Sequence, residues 1–214
     1  MKRLLFFIYA LLCLSSFTSV AWATDGWKIY ASYHNATKAV KCDSRIFVLA
    51  NGDVFSYDTD DETVETYDKT GALSSFGVAD MAYSADTRQL VLVYEDGNID
   101  LLGMDGETWN MPEMKNTDIA DKTMNRLVAI GKEAFVCLNS GLVQIDLQAK
   151  YYVAMYRLGK VTDVAVQGEK IYVKTSRGQM EGDRKANLLD LSNWKPSTAN
   201  ISVGQTAEEK AAEA

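Results

Sequence analysis

His34 is the single histidine of the chain, so neither a two-histidine metal centre nor a histidine-rich zinc cluster can be assembled from it. Asn35 and Thr37 stand beside it, but no serine or cysteine in a nucleophile motif accompanies it, and catalysis through His34 is not expected. The run Asp58-Thr59-Asp60-Asp61-Glu62 gathers carboxylates of the kind that hold calcium. It lacks the glycine and distal glutamate of an EF-hand loop, and it reads as a solvated turn between two strands. Trp109, Trp194, Tyr151, Tyr152 and Tyr156 offer large rings with polar handles, as a sugar- or partner-binding platform would. Aromatics at alternating strand positions more often pack between sheets. Cys42 and Cys137 lie in or beside strand-like runs, where two buried thiols are expected, although an exported protein could join them. No catalytic, cofactor-binding or metal-ligating residue emerges, no cofactor is implied, and the chain reads as a non-enzymatic binding protein.

What must position these groups is an ordinary globular body. Of 214 residues, 47% are apolar, 24% are charged and two are proline, a composition that fits neither a disordered nor a collagen-like chain. The formal charge of −7 makes nucleic acid and anionic lipid poor partners. Lys2 and Arg3, the apolar stretch Leu4 to Leu14, and Ala21-Trp22-Ala23 together read as a signal peptide over residues 1–23, cut before Thr24. The apolar stretch is far short of the roughly 20 residues a membrane-spanning helix needs, so no transmembrane segment is expected after cleavage. Leu12 is too large for a lipobox before Cys13. Asn35-Ala36-Thr37 and Asn200-Ile201-Ser202 match the glycosylation sequon, incidentally if the source is bacterial.

Four segments repeat one pattern, a β-rich run, a tight turn containing glycine, and a second run. They are Ile46 to Ala50 turning at Asn51-Gly52 into Asp53 to Asp58; Leu90 to Tyr94 turning at Asp96-Gly97 into Asn98 to Leu102; Ala134 to Leu138 turning at Ser140-Gly141 into Leu142 to Asp146; and Ile171 to Lys174 turning at Arg177-Gly178. Asn-Gly and Asp-Gly are strong hairpin signals because both central residues of a type I′ turn take positive φ. The glycines at 52, 97, 141 and 178 are 45, 44 and 37 residues apart, a spacing that belongs to propeller blades. Flanking runs supply the remaining strands. Val78 to Tyr83, Arg126 to Ile130 and Val161 to Val166 are candidate inner strands, and Thr63 to Tyr67, Glu107 to Trp109 and Tyr152 to Tyr156 candidate outer ones.

The expected fold is therefore all-β, a propeller of about four blades of four antiparallel strands spanning residues 24–195. A polar, alanine-rich tail without strand periodicity follows at 196–214 and is expected to be disordered. Common propellers close with more than four blades, and an open ring exposes edges that invite association. The blades are accordingly expected to be part of a larger propeller whose remainder is missing or comes from another chain, in preference to a four-bladed ring.

The stretches Trp27 to Thr37, Phe55-Ser56-Tyr57-Asp58-Thr59, Tyr67-Asp68-Lys69-Thr70-Gly71, Val93 to Leu101 and Leu191-Ser192-Asn193-Trp194 resemble the N-terminal β-propeller of the PorZ family, surface components of the type IX secretion system of the Bacteroidota. That resemblance implies an exported protein of two propellers and a C-terminal signal domain, in the periplasm or at the outer-membrane surface. It also implies protein subunits of the secretion complex, the sortase among them, and anionic lipopolysaccharide as partners. The chain departs from the family by ending after about four blades, so surface anchoring and attachment do not carry over to it. A second resemblance supports the alternative of a ligand-sensing propeller of a hybrid two-component regulator. There Gly71-Ala72-Leu73-Ser74, ahead of Val78 to Tyr83, is similar to a Gly-Leu-Ser segment, but the chain holds neither the transmembrane helix nor the kinase of such a sensor.

Overall fold

Runs rich in β-branched and aromatic residues, each broken by a short turn, fold as four antiparallel sheets of four strands in a computed structural model that describes residues 34–199. The first blade holds β1 (Ala36–Cys42), β2 (Arg45–Ala50), β3 (Asp53–Asp58) and β4 (Val64–Tyr67). The second holds β5 (Val78–Ser84), β6 (Gln89–Tyr94), β7 (Ile99–Gly103) and β8 (Thr108–Met111), and is followed by a one-turn helix, α1 (Glu113–Asn116). Blade three comprises β9 (Met124–Ile130), β10 (Glu133–Leu138), β11 (Leu142–Asp146) and β12 (Tyr151–Tyr156), and blade four β13 (Val161–Gln167), β14 (Lys170–Thr175), β15 (Gly178–Asp183) and β16 (Trp194–Pro196). Strand order within every sheet follows the chain, as in propeller blades. The described residues all belong to one compact unit. The expected signal peptide, residues 27–33 and Asn200-Ile201-Ser202 lie outside the described residues.

The glycine phase is shared, but the turn type is not. Only Asn51 (φ 53°) and Gly52 (φ 83°) take positive φ together, as a type I′ turn requires. The second hairpin needs it at Gly97 alone, in a wider turn where the Tyr94 N–H donates to the Asn98 carbonyl at 3.0 Å. At the third, a Cβ on Gly141 would collide with the Tyr156 carbonyl of the outer strand, so close backbone approach explains that glycine. Four elements had no clear sequence signal: β1, β15, β16 and α1.

Each pair of consecutive blades encloses its own core. Phe47, Leu49 and Val54 of blade one meet Leu90 and Leu92 of blade two. Val91, Val93 and Leu101 meet Val136, Val143 and Ile145 of blade three, and Phe135, Cys137 and Leu142 meet Val164, Ile171 and Val173 of blade four. At roughly 1.5–3 kcal/mol per buried large side chain, these sheet-to-sheet seams dominate the stability of the blades. The linkers contribute plugs, Leu73 to the first seam, Met114 and Ile119 to the second and Leu158 to the third.

Inner strands touch in series, β1 to β5, β5 to β9 and β9 to β13, while β13 makes no comparable contact with β1 among the described residues. Immediately past the register shift of each inner strand stands a charged side chain: Lys38, Asp80, Arg126 and Asp163. Lys38 Nζ lies 2.7 Å from Asp80 Oδ1, and Arg126 Nε lies 3.5 Å from Asp163 Oδ1. The Leu127 N–H donates to Asp80 Oδ2 at 3.1 Å, so Asp80 ties together the inner strands of three blades.

Candidate binding face

The blade linkers and the β2–β3, β6–β7 and β10–β11 turns gather at one end of the sheets. The Val78 N–H donates to the Gly52 carbonyl at 2.9 Å, the Glu95 N–H to the Gly77 carbonyl at 3.0 Å, and the Asn139 N–H to the Thr123 carbonyl at 3.0 Å. A polar network continues from blade to blade. Asp100, with 0% of its surface exposed, accepts from the Ser74 N–H at 2.8 Å, the Tyr94 hydroxyl at 2.5 Å and Asn110 Nδ2 at 2.8 Å. A carboxylate this deep is tolerable because three donors saturate it. Burial, reinforced by that carboxylate, pushes the Tyr94 hydroxyl far above the usual tyrosine range and keeps it a donor. The Gly71-Ala72-Leu73-Ser74 segment is thus a latch between blades one and two, with Leu73 in the seam and Ser74 on Asp100.

The network then crosses to α1. Ser75 Oγ and Lys115 Nζ both donate to Asp96 Oδ2, at 3.3 and 2.8 Å, and Lys122 Nζ donates to the Lys115 carbonyl at 2.6 Å. Burial raises the Asp96 carboxyl, but the bonds from Lys115 and the Asn98 N–H outweigh it and hold the group below the ordinary carboxylate range. Asp121 is held low by the Thr123 hydroxyl and N–H and by Asn139, whose Nδ2 donates to it at 3.0 Å. Loops fastened in this way form a preorganised surface that can bind without paying to order itself.

Of the aromatic platform, the structure brings out only part. Trp194 (4% exposed) and Tyr156 (6%) pack edge to face at 5.7 Å in the seam between blades three and four, so neither is a platform residue. Tyr152 leans on the seam between blades two and three. Trp109 and Tyr151 remain about half exposed on the outer strands, with Lys150 Nζ 5.4 Å above the Trp109 ring. His34 lies at the exposed start of the described residues, its carbonyl accepting from Asn51 Nδ2 at 2.7 Å. The acidic run forms the β3–β4 turn, where Asp58 meets Arg45 Nε at 3.3 Å and Asp61 accepts from Thr63, and no three metal-ligating groups converge among the described residues. Cys42 and Cys137 are buried in different blades, and no disulfide joins them.

Charge is divided unevenly. Residues 34–111, the first two blades, carry 15 Asp and Glu against 5 Lys and Arg, whereas residues 112–199 carry 10 against 13. The acidity of the body therefore belongs to its first half. Sequence reading missed this polarity, although a running count would have found it.

The family model of the TSS9 PorZ N-terminal β-propeller domain matches residues 46–195. Among solved structures, PorZ of Porphyromonas gingivalis, described as an essential bacterial surface component of the type-IX secretion system, is 31% identical with a TM-score of 0.76, over 82% of this chain and 24% of that one. This chain thus spans about a quarter of the length of that PorZ structure. The extracellular domain of the hybrid two component system BT3049 from B. thetaiotaomicron is 13% identical, TM-score 0.50, over 77% of this chain and 22% of that one. The dihydro-heme d1 dehydrogenase NirN is 16% identical, TM-score 0.57, over 81% and 38%. At these identities the last two share the fold alone. No curated protein sequence matches the chain.

Proposed function

Because this chain belongs to the family of PorZ N-terminal β-propeller domains, we propose that it serves as a non-enzymatic recognition and assembly module of a type IX secretion complex. The observation that carries the reading is the match over residues 46–195. The fastened loop end, running from Ser74 through Asp96 and Lys115 to Asp121, gives that module a surface suited to recognition. In this reading residues 1–23 direct export, residues 24–195 form the propeller portion and 196–214 a tail. The site of action is the periplasm or the outer-membrane surface. The partners are protein subunits of the complex, with anionic lipopolysaccharide as the ligand class that family resemblance suggests. No helix among the described residues is long and apolar enough to cross a membrane.

The test is a chimera. Residues 46–195 replace the matching segment of P. gingivalis PorZ in a strain lacking the native protein, and surface display of secreted cargo is measured. Restored display supports the reading. A chimera that is exported and stable yet restores nothing overturns it.

A further inference from the structure

At the loop end of the sheets a cavity of about 470 Å³ opens between blades two and three, with Ala79, Val93 and Met124 as apolar walls and Glu95 and Lys122 among its lining. Blades two and three are each flanked on both sides by another sheet of this chain, so the cavity is not an exposed sheet edge. The lysines of this region are already engaged. Lys122 Nζ donates to the Lys115 carbonyl, with its stem laid over Gly97, and Lys115 Nζ donates to Asp96. Asp121 accepts from the Thr123 N–H and from Asn139 Nδ2. Glu95 is the exception. It is exposed, only its backbone is bonded, to the Gly77 carbonyl, and its carboxylate enters no hydrogen bond or ion pair among the described residues. That carboxylate lies against Gly77, where a Cβ would meet Glu95 Oε2 at 3.5 Å. One residue earlier Phe76 is 64% exposed, although Ser75 and Val78 on either side of it are buried and bonded to Asp96 and to the Gly52 carbonyl. The ring is thus held in water by a fixed backbone, with Lys69 Nζ 5.2 Å from its centroid.

We propose that this cavity seats an arginine side chain of a partner protein, its guanidinium on the Glu95 carboxylate and its aliphatic stem along Ala79 and Met124. Apolar walls ending in one unpaired carboxylate match a long side chain with an apolar stem and a cationic head. A guanidinium suits the place better than an ammonium. It is the more weakly hydrated of the two, it can give a carboxylate two parallel N–H bonds, and it stacks on aromatic rings such as the neighbouring Phe76. An anionic occupant finds both bordering lysines committed, Lys122 to a carbonyl and Lys115 to Asp96. The proposal rests on the reading of the loop end as the recognition surface and names what that surface recognises. A peptide titration needs no secretion complex, so it can fail while the chimera succeeds, and the reverse.

The probe is a blocked tripeptide of arginine between two glycines, titrated into the isotope-labelled full chain and followed by amide chemical shifts. Its citrulline analogue, of the same shape without the charge, and its glutamate analogue serve as comparators. The arginine peptide is expected to shift the Glu95 and Met124 amides saturably, and neither comparator is. Glu95→Gln is expected to weaken binding about fivefold. Glu107→Gln, an equal charge change in the β7–β8 turn at the other end of blade two, is expected to leave it nearly unchanged. The amide spectrum of each variant checks that the fold persists. Absence of a saturable shift, an equal response to citrulline, a stronger response to glutamate, or equal weakening by the two variants would each overturn the proposal. So would dimerisation of the chain that Glu95→Gln abolishes, since the occupant would then be a second copy.

Discussion

Blade three turns Phe135, Cys137 and Leu142 toward blade four, while blade four, at the same pairing positions, turns Tyr172, Lys174 and Gln179 away from blade three. The strands pair alike, and both sheets turn hydrophobic residues into the seam they share. Backbone pairing and the alternation of strand residues therefore build the blade, whereas the chemistry of one face decides what can lie against it. The two faces of one sheet are independent variables. Blade four is apolar toward its neighbour and charged on the other side.

The sharpest way to break this comparison is to truncate the apolar member. Phe135 is fully buried in the seam, and Phe135→Ala is expected to cost about 3–5 kcal/mol in denaturant unfolding, while Lys174→Ala on the charged face stays within about 0.5 kcal/mol. Comparable losses at the two positions would mean that the faces do not differ in burial. Next in size is the buried polar exception within a seam. Asp100→Ala would leave the Tyr94 hydroxyl, Asn110 and the Ser74 N–H without their common acceptor, at an expected cost of about 2–3 kcal/mol. At the inner strands, Asp80→Ala removes the acceptor for Lys38 and the Leu127 N–H, and about 1–2 kcal/mol is expected because Lys38 retains access to water.

Much of this architecture was legible because hairpins advertise themselves. The alternating runs around Asn51-Gly52, Asp96-Gly97 and Ser140-Gly141 place strands to within one or two residues, and the flanking runs gave β5, β9 and β13 almost whole. β15 was not legible because Gly178-Gln179-Met180-Glu181-Gly182-Asp183 has two glycines and little β-propensity; its place is set by pairing with β14. β16 is three residues long and is reached only after a ten-residue excursion held by the Trp194 Nε1 bond to the Leu188 carbonyl. The aromatic group was half legible. Composition identifies rings, but whether a ring faces a seam, as Tyr156 and Trp194 do, or solvent, as Trp109 does, depends on register and on the neighbouring blade. The polar network through Asp100 and Asp96 joins residues from separate turns and so has no local signature.

A chemical probe sharpens the apolar side of the comparison. Burial, with the Asp163 carboxylate adding to it and Arg126 opposing, pushes the Cys137 thiol up to about 12. The fold therefore favours the neutral thiol, so this stabilisation is complete below the unfolded thiol's pKa of about 8.5 and is lost as pH rises from there toward the folded value. Alkylation of Cys137 at mildly alkaline pH, followed by mass spectrometry, is expected to run at least about 100-fold slower in the folded chain than in denaturant. Equal rates would mean that the third seam opens to solvent.

The smallest expected effect lies on the charged face itself. Lys174→Leu restores at blade four the apolar residue that Leu49 and Val93 supply in blades one and two. The substituted side chain gains no seam to enter, because apolar burial stabilises only when a surface leaves water. The melting temperature is expected to move by less than about 2 °C, the equivalent of about 0.5 kcal/mol for a domain of this size. A rise above about 4 °C would show that position 174 is already buried against another surface, and the contrast between the two forward faces would then be one of occupancy rather than chemistry.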